Sequence, residues 1–180
     1  MITELEKISS SLIISNPWWD YRKDIYKMPA GIEGEYHYVD SKGSTMVIPV
    51  FDDGTISMIR QFRYLNGKVS IEFPGGGQKH HLSFEQNALE ELREEAGLIP
   101  QSIKLIAEFN PFNGVTNELC RVFLAEGLVE CESKPEPSEE FEIIRLNKLE
   151  ILRLIQKGEI WDGMTLASWA LYQLSEQQYF

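Results

Sequence analysis

The chain has 180 residues, 43% of them apolar and 25% charged, as expected for one soluble globular domain with a substantial core. Its 28 acidic against 17 basic residues leave a net charge of −11, which argues against non-specific attraction to a nucleic-acid backbone. No apolar run nears the roughly 18 residues of a membrane span, and acidic Glu4 and Glu6 replace any leader-like apolar core, so a cytoplasmic location is expected.

In chain order, the first strand candidate is Leu12 to Ile14, followed by Asn16-Pro17-Trp18-Trp19-Asp20. If that segment is a strand, the adjacent tryptophans point to opposite faces. Gly31 to Gly34 is a turn, and Glu35 to Val39 alternates as a strand around His37. A second turn at Asp40 to Gly43 leads into the strand Ser44 to Phe51. Asp52-Asp53-Gly54 is a hairpin signal before the strand Thr55 to Arg63. Arg60 and Arg63 are an odd number apart, so an unbroken strand puts them on opposite faces, one free to meet an anion and one solvated. Asn66-Gly67 turns the chain again, and Val69 to Phe73 enters the Gly-rich turn at Gly75 to Gly77.

From Asn87 the pattern is helical, and Gly97 is placed as its C-cap. At about 100° per residue, Ala88, Leu89, Leu92 and Ala96 share one stripe while Glu91, Glu94 and Glu95 share a neighbouring face. Three like charges on one face repel by a few tenths of a kcal/mol per pair. A hard divalent cation with a preference for oxygen ligands reverses that sign, so the face has the chemistry of half a metal site.

Beyond the helix, Ile103 to Phe109 and Leu119 to Glu126 read as strands, with a loop from Asn110 to Gly114 between them. The acidic, proline-interrupted stretch 130–140 reads as a linker by composition. The strand Phe141 to Leu146 and two helices, Lys148 to Lys157 and Thr165 to Glu176, complete an α+β domain around a mixed sheet. Cys120 and Cys131 match neither a redox pair nor a zinc spacing, so buried free thiols are expected.

The stretch from Glu72 to Leu98 resembles the Nudix box, G-x5-E-x7-R-E-U-x-E-E-x-G-U with U aliphatic. Gly76 matches the first Gly, Glu91 the Glu of the R-E pair, Leu92 the first U, Glu94 and Glu95 the E-E pair, and Gly97 and Leu98 the close. Two positions depart: Leu82 stands at the first Glu and Glu90 at the Arg. Flanking segments are similar to the branch of the family that cleaves ADP-ribose and other nucleoside diphosphate sugars. These are RQFRY with Arg63, EFPGG with Gly75, PFNGVTNE ending at Glu118, and the C-terminal helix pair.

The resemblance implies a Nudix-type α/β/α sandwich over residues 1–180. Residues from about 1 to 43 would form N-terminal antiparallel strands, packed across a homodimer, and 44–180 the catalytic core. It implies Mg²⁺ or Mn²⁺ held by Glu91, Glu94, Glu95 and the Gly75 carbonyl, with Glu94 and Glu95 also in the catalytic set. Arg63 would hold a phosphate oxygen, with Arg60 the second candidate. Glu139, or Glu140 beside it, would act on the attacking water. Trp18 or Trp19 would stack on the nucleobase, and Glu118 would contact substrate. The small-molecule partner is then a nucleoside diphosphate joined to another group, with no nucleic acid or membrane involved. The two departures also admit a catalytically weak or inactive module that binds such a ligand as a sensor.

Overall fold

The computed structural model describes residue 2, residues 4–134 and residues 140–176. The chain divides into two units, Met1–Gly43 with Asn110–Leu119, and Ser44–Phe109 with Cys120–Phe180.

In the first unit, β1 (Glu6–Ser15), β2 (Asp20–Lys27) and β3 (Glu33–Asp40) form an antiparallel meander. β1 is much longer than the apolar Leu12–Ile14 segment alone signals, and β2, with charges along its whole length, carries no apolar alternation to reveal it. Trp18 and Trp19 lie between the strands, in a turn made by the Asn16 side chain. Its Oδ1 accepts the N–H groups of Trp18 at 2.9 Å and Trp19 at 3.0 Å. The strand alternation expected of the two rings therefore does not apply, and both are exposed. The 110–119 segment joins this unit along β3: the Val39 N–H donates to the Val115 carbonyl at 2.9 Å, and Asn117 Nδ2 donates to Asp40 Oδ1 at 2.6 Å.

The second unit is built on β4 (Ser44–Pro49), buried along its whole length. It pairs with β7 (Gly75–Gly77) on one side and runs parallel to β10 (Cys120–Glu126) on the other. β9 (Ser102–Phe109) completes the order β7-β4-β10-β9, so the sheet is mixed. Alternate residues of a strand point to opposite faces. Val47, Phe123 and Ala125 accordingly pack with Ala88, Leu92 and Ala96 of α1 (Phe84–Ala96). Met46, Ile48 and Val122 face the other way, into a cluster with Ile151 of α2 (Lys148–Gln156) and Trp169 and Tyr172 of α3 (Gly163–Glu176). Helices cover both faces of one mixed sheet, the α/β/α architecture that the resemblance implies.

A second, antiparallel sheet holds β5 (Ile56–Arg63) between β6 (Lys68–Glu72) and β12 (Glu142–Leu146). The Asp52-Asp53-Gly54 turn forms, with the Phe51 N–H on the Thr55 carbonyl at 2.9 Å and a single bridge from Val50 to Ile56. The strands on either side do not continue as the expected hairpin; they part into the two sheets. Residues 129–134 are tied down rather than free as a linker, and 135–139 of the expected linker lie outside the described residues. β11 (Val129–Glu130) pairs with β8 (Leu98–Ile99), and the Cys131 N–H reaches the Gly97 carbonyl at 2.8 Å. Ser133 Oγ then donates to the Glu94 carbonyl at 2.6 Å, satisfying an acceptor at the open end of α1. Cys120 is buried and Cys131 half-buried, and neither forms a disulfide.

Candidate active site

Helix α1 begins one turn earlier than its apolar pattern suggests. Ser83 caps it with a capping box: its side chain accepts the Gln86 N–H, while the Gln86 side chain accepts the Ser83 N–H. Gly97 ends it at φ 61°, a left-handed position suited to glycine, with its N–H on Arg93 O at 3.2 Å. Between these caps the helix turns its apolar stripe to the sheet and carries its carboxylates towards β7. Glu91 and Glu95 are buried, 8% and 4% exposed, and Glu94 is half-buried.

β7 meets those carboxylates with bare backbone. The Gly75 N–H donates to Glu95 Oε2 at 2.8 Å. A side chain at position 76 would place its Cβ 2.8 Å from the Glu91 carboxyl carbon, so only glycine leaves that carboxylate where it is. A Cβ at position 75 would lie 2.2 Å from the Thr45 carbonyl oxygen, so Gly75 is what lets β7 lie against β4.

The loop between β7 and α1 adds a cation that the sequence reading missed. Lys79 Nζ lies 3.0 Å from Glu94 Oε2, 3.3 Å from Glu90 Oε2 and 3.5 Å from Glu91 Oε1. Partial burial works against its charge, but the hydrogen bond to Glu94 and the surrounding carboxylates outweigh it and push the ammonium pKa up. Glu90 is thus paired with Lys79, while Arg93, three residues further along the helix, is exposed. The loop backbone is pinned on both sides of the lysine. Buried Asn87 accepts the Lys79 N–H at 3.0 Å and donates to Thr45 Oγ1 at 3.0 Å, and Gln78 Nε2 donates to the Lys79 carbonyl at 3.0 Å.

On the neighbouring sheet, Arg63 grips Glu72, at the end of β6. Arg63 Nε donates to Glu72 Oε1 at 2.8 Å and its Nη2 to Oε2, while Gln61 Nε2 adds a third donor at 3.3 Å. The hydrogen bond to Glu72 raises the arginine pKa against the opposing effect of burial, with Asp162 and Glu95 adding weaker attraction from nearby. Glu72 and Asp162 were not foreseen in this cluster; a lone acid in an otherwise apolar strand end, Ile71-Glu72-Phe73, was the available signal for Glu72.

Arg60 pairs across the sheet with Glu142 through Nη1, at 2.9 and 3.1 Å. Trp18, Trp19 and Glu118 belong to the first unit, where the Glu118 carbonyl accepts from Asn110 at 2.7 Å. Glu139 lies outside the described residues, and Glu140 is exposed. His80 and His81 are exposed in the loop before α1.

Carboxylates and a backbone carbonyl are the donors a hard divalent cation takes. Among the described residues, no three acidic, histidine or cysteine side chains already converge as ligands of one ion. Lys79 stands between Glu91 and Glu94, and Glu95 is turned onto the Gly75 N–H. The residues fit Mg²⁺ or Mn²⁺ in donor chemistry and in the helix face they share.

Known proteins resemble this chain over most of its length. The model of the NUDIX domain matches residues 41–167. An ADP-ribose pyrophosphatase of Bacillus subtilis is 30% identical over 96% of this chain and 95% of its own length. An ADP-ribose pyrophosphatase of Mycobacterium tuberculosis is 29% identical over 91% of this chain and 81% of its own. The crystal structure of an ADP compounds hydrolase superposes with a TM-score of 0.85 over 100% of this chain and 99% of that one; at 14% identity the likeness is one of fold. No helix among the described residues is long and apolar enough to cross a membrane. With a Gly-rich strand facing the Glu91 and Glu95 carboxylates of α1, and a family match over most of its length, the chain belongs to the Nudix family.

Proposed function

We propose that the protein hydrolyses the pyrophosphate bond of a nucleoside diphosphate joined to another group, with ADP-ribose or a nucleotide sugar as substrate and Mg²⁺ or Mn²⁺ as cofactor. The observation that carries this reading is the acidic face of α1, with Glu91 packed against the Gly76 backbone, Glu95 accepting the Gly75 N–H, and Glu94 next to Glu95 on the same helix. A bound divalent cation offsets diphosphate charge and lowers the pKa of the attacking water. Glu91, Glu94, Glu95 and the Gly75 carbonyl would hold it.

Arg63 is the phosphate ligand of choice over Arg60. With Nε and Nη2 fixed on Glu72, its remaining Nη1 can make a charge-assisted contact to a phosphate oxygen. Glu139, outside the described residues, is the proposed group that orients or deprotonates water, with Glu140 as the alternative. Exposed Trp18 or Trp19 is proposed to stack on the base, and Glu118 to contact substrate, in a cytoplasmic homodimer. The names of the Bacillus and Mycobacterium relatives support ADP-ribose as the first substrate to test.

The test is a panel of ADP-ribose and nucleotide sugars with Mg²⁺ or Mn²⁺, with release of nucleoside monophosphate followed by chromatography. Turnover should require the metal and fall about a hundredfold or more in Glu94→Gln, the scale of losing a metal-borne electrostatic contribution. Full turnover by Glu94→Gln, or none by the unaltered chain on any of these compounds, overturns the proposal.

A further inference from the structure

The Nudix motif places its acid in the loop and its base on the helix, at the positions that Leu82 and Glu90 hold here. In this chain the polarity is reversed: the base, Lys79, comes from the loop and the acid, Glu90, from the helix, and they meet at 3.3 Å. Lys79 is not confined to that pair. Its ammonium is closer to Glu94, at 3.0 Å, and also reaches Glu91, at 3.5 Å. Those are two of the carboxylates proposed to hold the divalent ion, and one oxygen cannot face an ammonium and an Mg²⁺ at contact distance without strong repulsion between the cations.

The way Lys79 is held makes its position a built feature. Its N–H is fixed by Asn87, itself fully buried and bonded to Thr45 of β4, and its carbonyl by Gln78, which also donates to the Leu82 carbonyl at 2.7 Å. The backbone is anchored while the side chain is only part-buried, so the ammonium can swing without moving the loop. Glu90 lies on the more exposed side of the same cluster, within reach of the swung lysine.

We infer that Lys79 is a placeholder cation for the acidic face of α1, surrendering Glu91 and Glu94 to an incoming divalent ion and moving over to Glu90. This gives Glu90, which departs from the motif, a role of its own: it receives the displaced ammonium. Lys79 is then a positioning residue that sets the concentration at which metal enters the site. The inference rests on the metal-dependent reading of the site.

The test is binding of Mn²⁺ alone, with no substrate, followed by electron paramagnetic resonance of the free ion. Lys79→Met should tighten the Mn²⁺ Kd about tenfold, the scale expected on removing one competing charge from a half-exposed site. Lys79→Gln should do the same, and circular dichroism checks that both variants fold. Glu90→Gln should weaken binding about fivefold with Lys79 present and less than about twofold in the Lys79→Met background, because coupled residues do not add. Mn²⁺ that binds the unaltered chain but binds both Lys79 variants no more tightly overturns this inference and leaves the metal reading standing. Mn²⁺ that binds neither the unaltered chain nor the variants overturns both.

Discussion

Arg63 meets Glu72 side-on, through Nε and Nη2 to the two carboxylate oxygens. The two ends of this pair differ in exposure: the Glu72 side chain is 3% exposed and that of Arg63 is 45% exposed. Removing one partner of a fully buried pair costs about 3–5 kcal/mol. Solvent screening at the arginine end lowers the expectation for Arg63→Ala to about 2 kcal/mol. The double variant Arg63→Ala, Glu72→Gln should recover at least half of that loss in urea denaturation, since no buried charge is then left alone. Strict additivity would mean the two side chains are not coupled.

Asn87 links three elements, joining the Lys79 N–H to Thr45 Oγ1 from its place on α1. Asn87→Leu keeps the volume but strands one buried donor and one hydroxyl, each costing about 1–3 kcal/mol. A destabilisation of about 2–4 kcal/mol is therefore expected in chemical denaturation. A loss under about 0.5 kcal/mol, the level of an ordinary surface substitution, would mean the relay contributes little.

Gly76→Ala separates site geometry from stability. The new methyl would lie 2.8 Å from the Glu91 carboxyl carbon, so the carboxylate must move. Turnover of ADP-ribose is expected to fall about a hundredfold, as misplacement near 1 Å does, with unfolding free energy changed by about 1 kcal/mol at most. Unchanged turnover would remove Glu91 from the site.

At the turn between β4 and β5, Asp53 is held low by a different mechanism. The Thr55 hydroxyl and N–H, and then Arg145, push its carboxyl pKa down to about 2. Because the folded value is depressed, the contribution of these contacts is complete above the unfolded pKa and is lost as pH falls through the folded one. Side-chain NMR titration should give an Asp53 midpoint near 2, moved upwards in Thr55→Val. An ordinary midpoint near 3.8 would exclude the turn contacts as the cause.

The parts of this molecule that repeat at a fixed period were legible in the sequence. Ala88 with Leu92 and Ala96 announces which face of α1 is buried. The Ser83-x-x-Gln86 cap was also written in the chain, and reading it would have placed the start of α1 correctly. What stayed hidden depends on contacts across the fold. Lys79 is an unremarkable loop lysine until buried Asn87 fixes its backbone beside three glutamates. Trp18 and Trp19 were ambiguous because a single side chain, Asn16, decides between strand and turn there. The parting of β4 from β5 was hidden because Asp52-Asp53-Gly54 encodes a reversal of direction and says nothing about which strands will flank it.

The parallel pairing of β4 with β10 fixes an order of events during synthesis. Ser44 is opposite Cys120, and α1 and β9 are both made in the interval. As the chain emerges from its N-terminal end, the apolar strand Met46–Ile48 must wait for its long-range partner, whereas the β5–β6 hairpin can close at once. Loop closure of that length makes the central ladder a late step, and Val47 and Ile48 are exposed to wrong partners until then. Chaperone dependence and aggregation on refolding should therefore trace to β4, a strand remote in sequence from the acidic helix whose position it fixes.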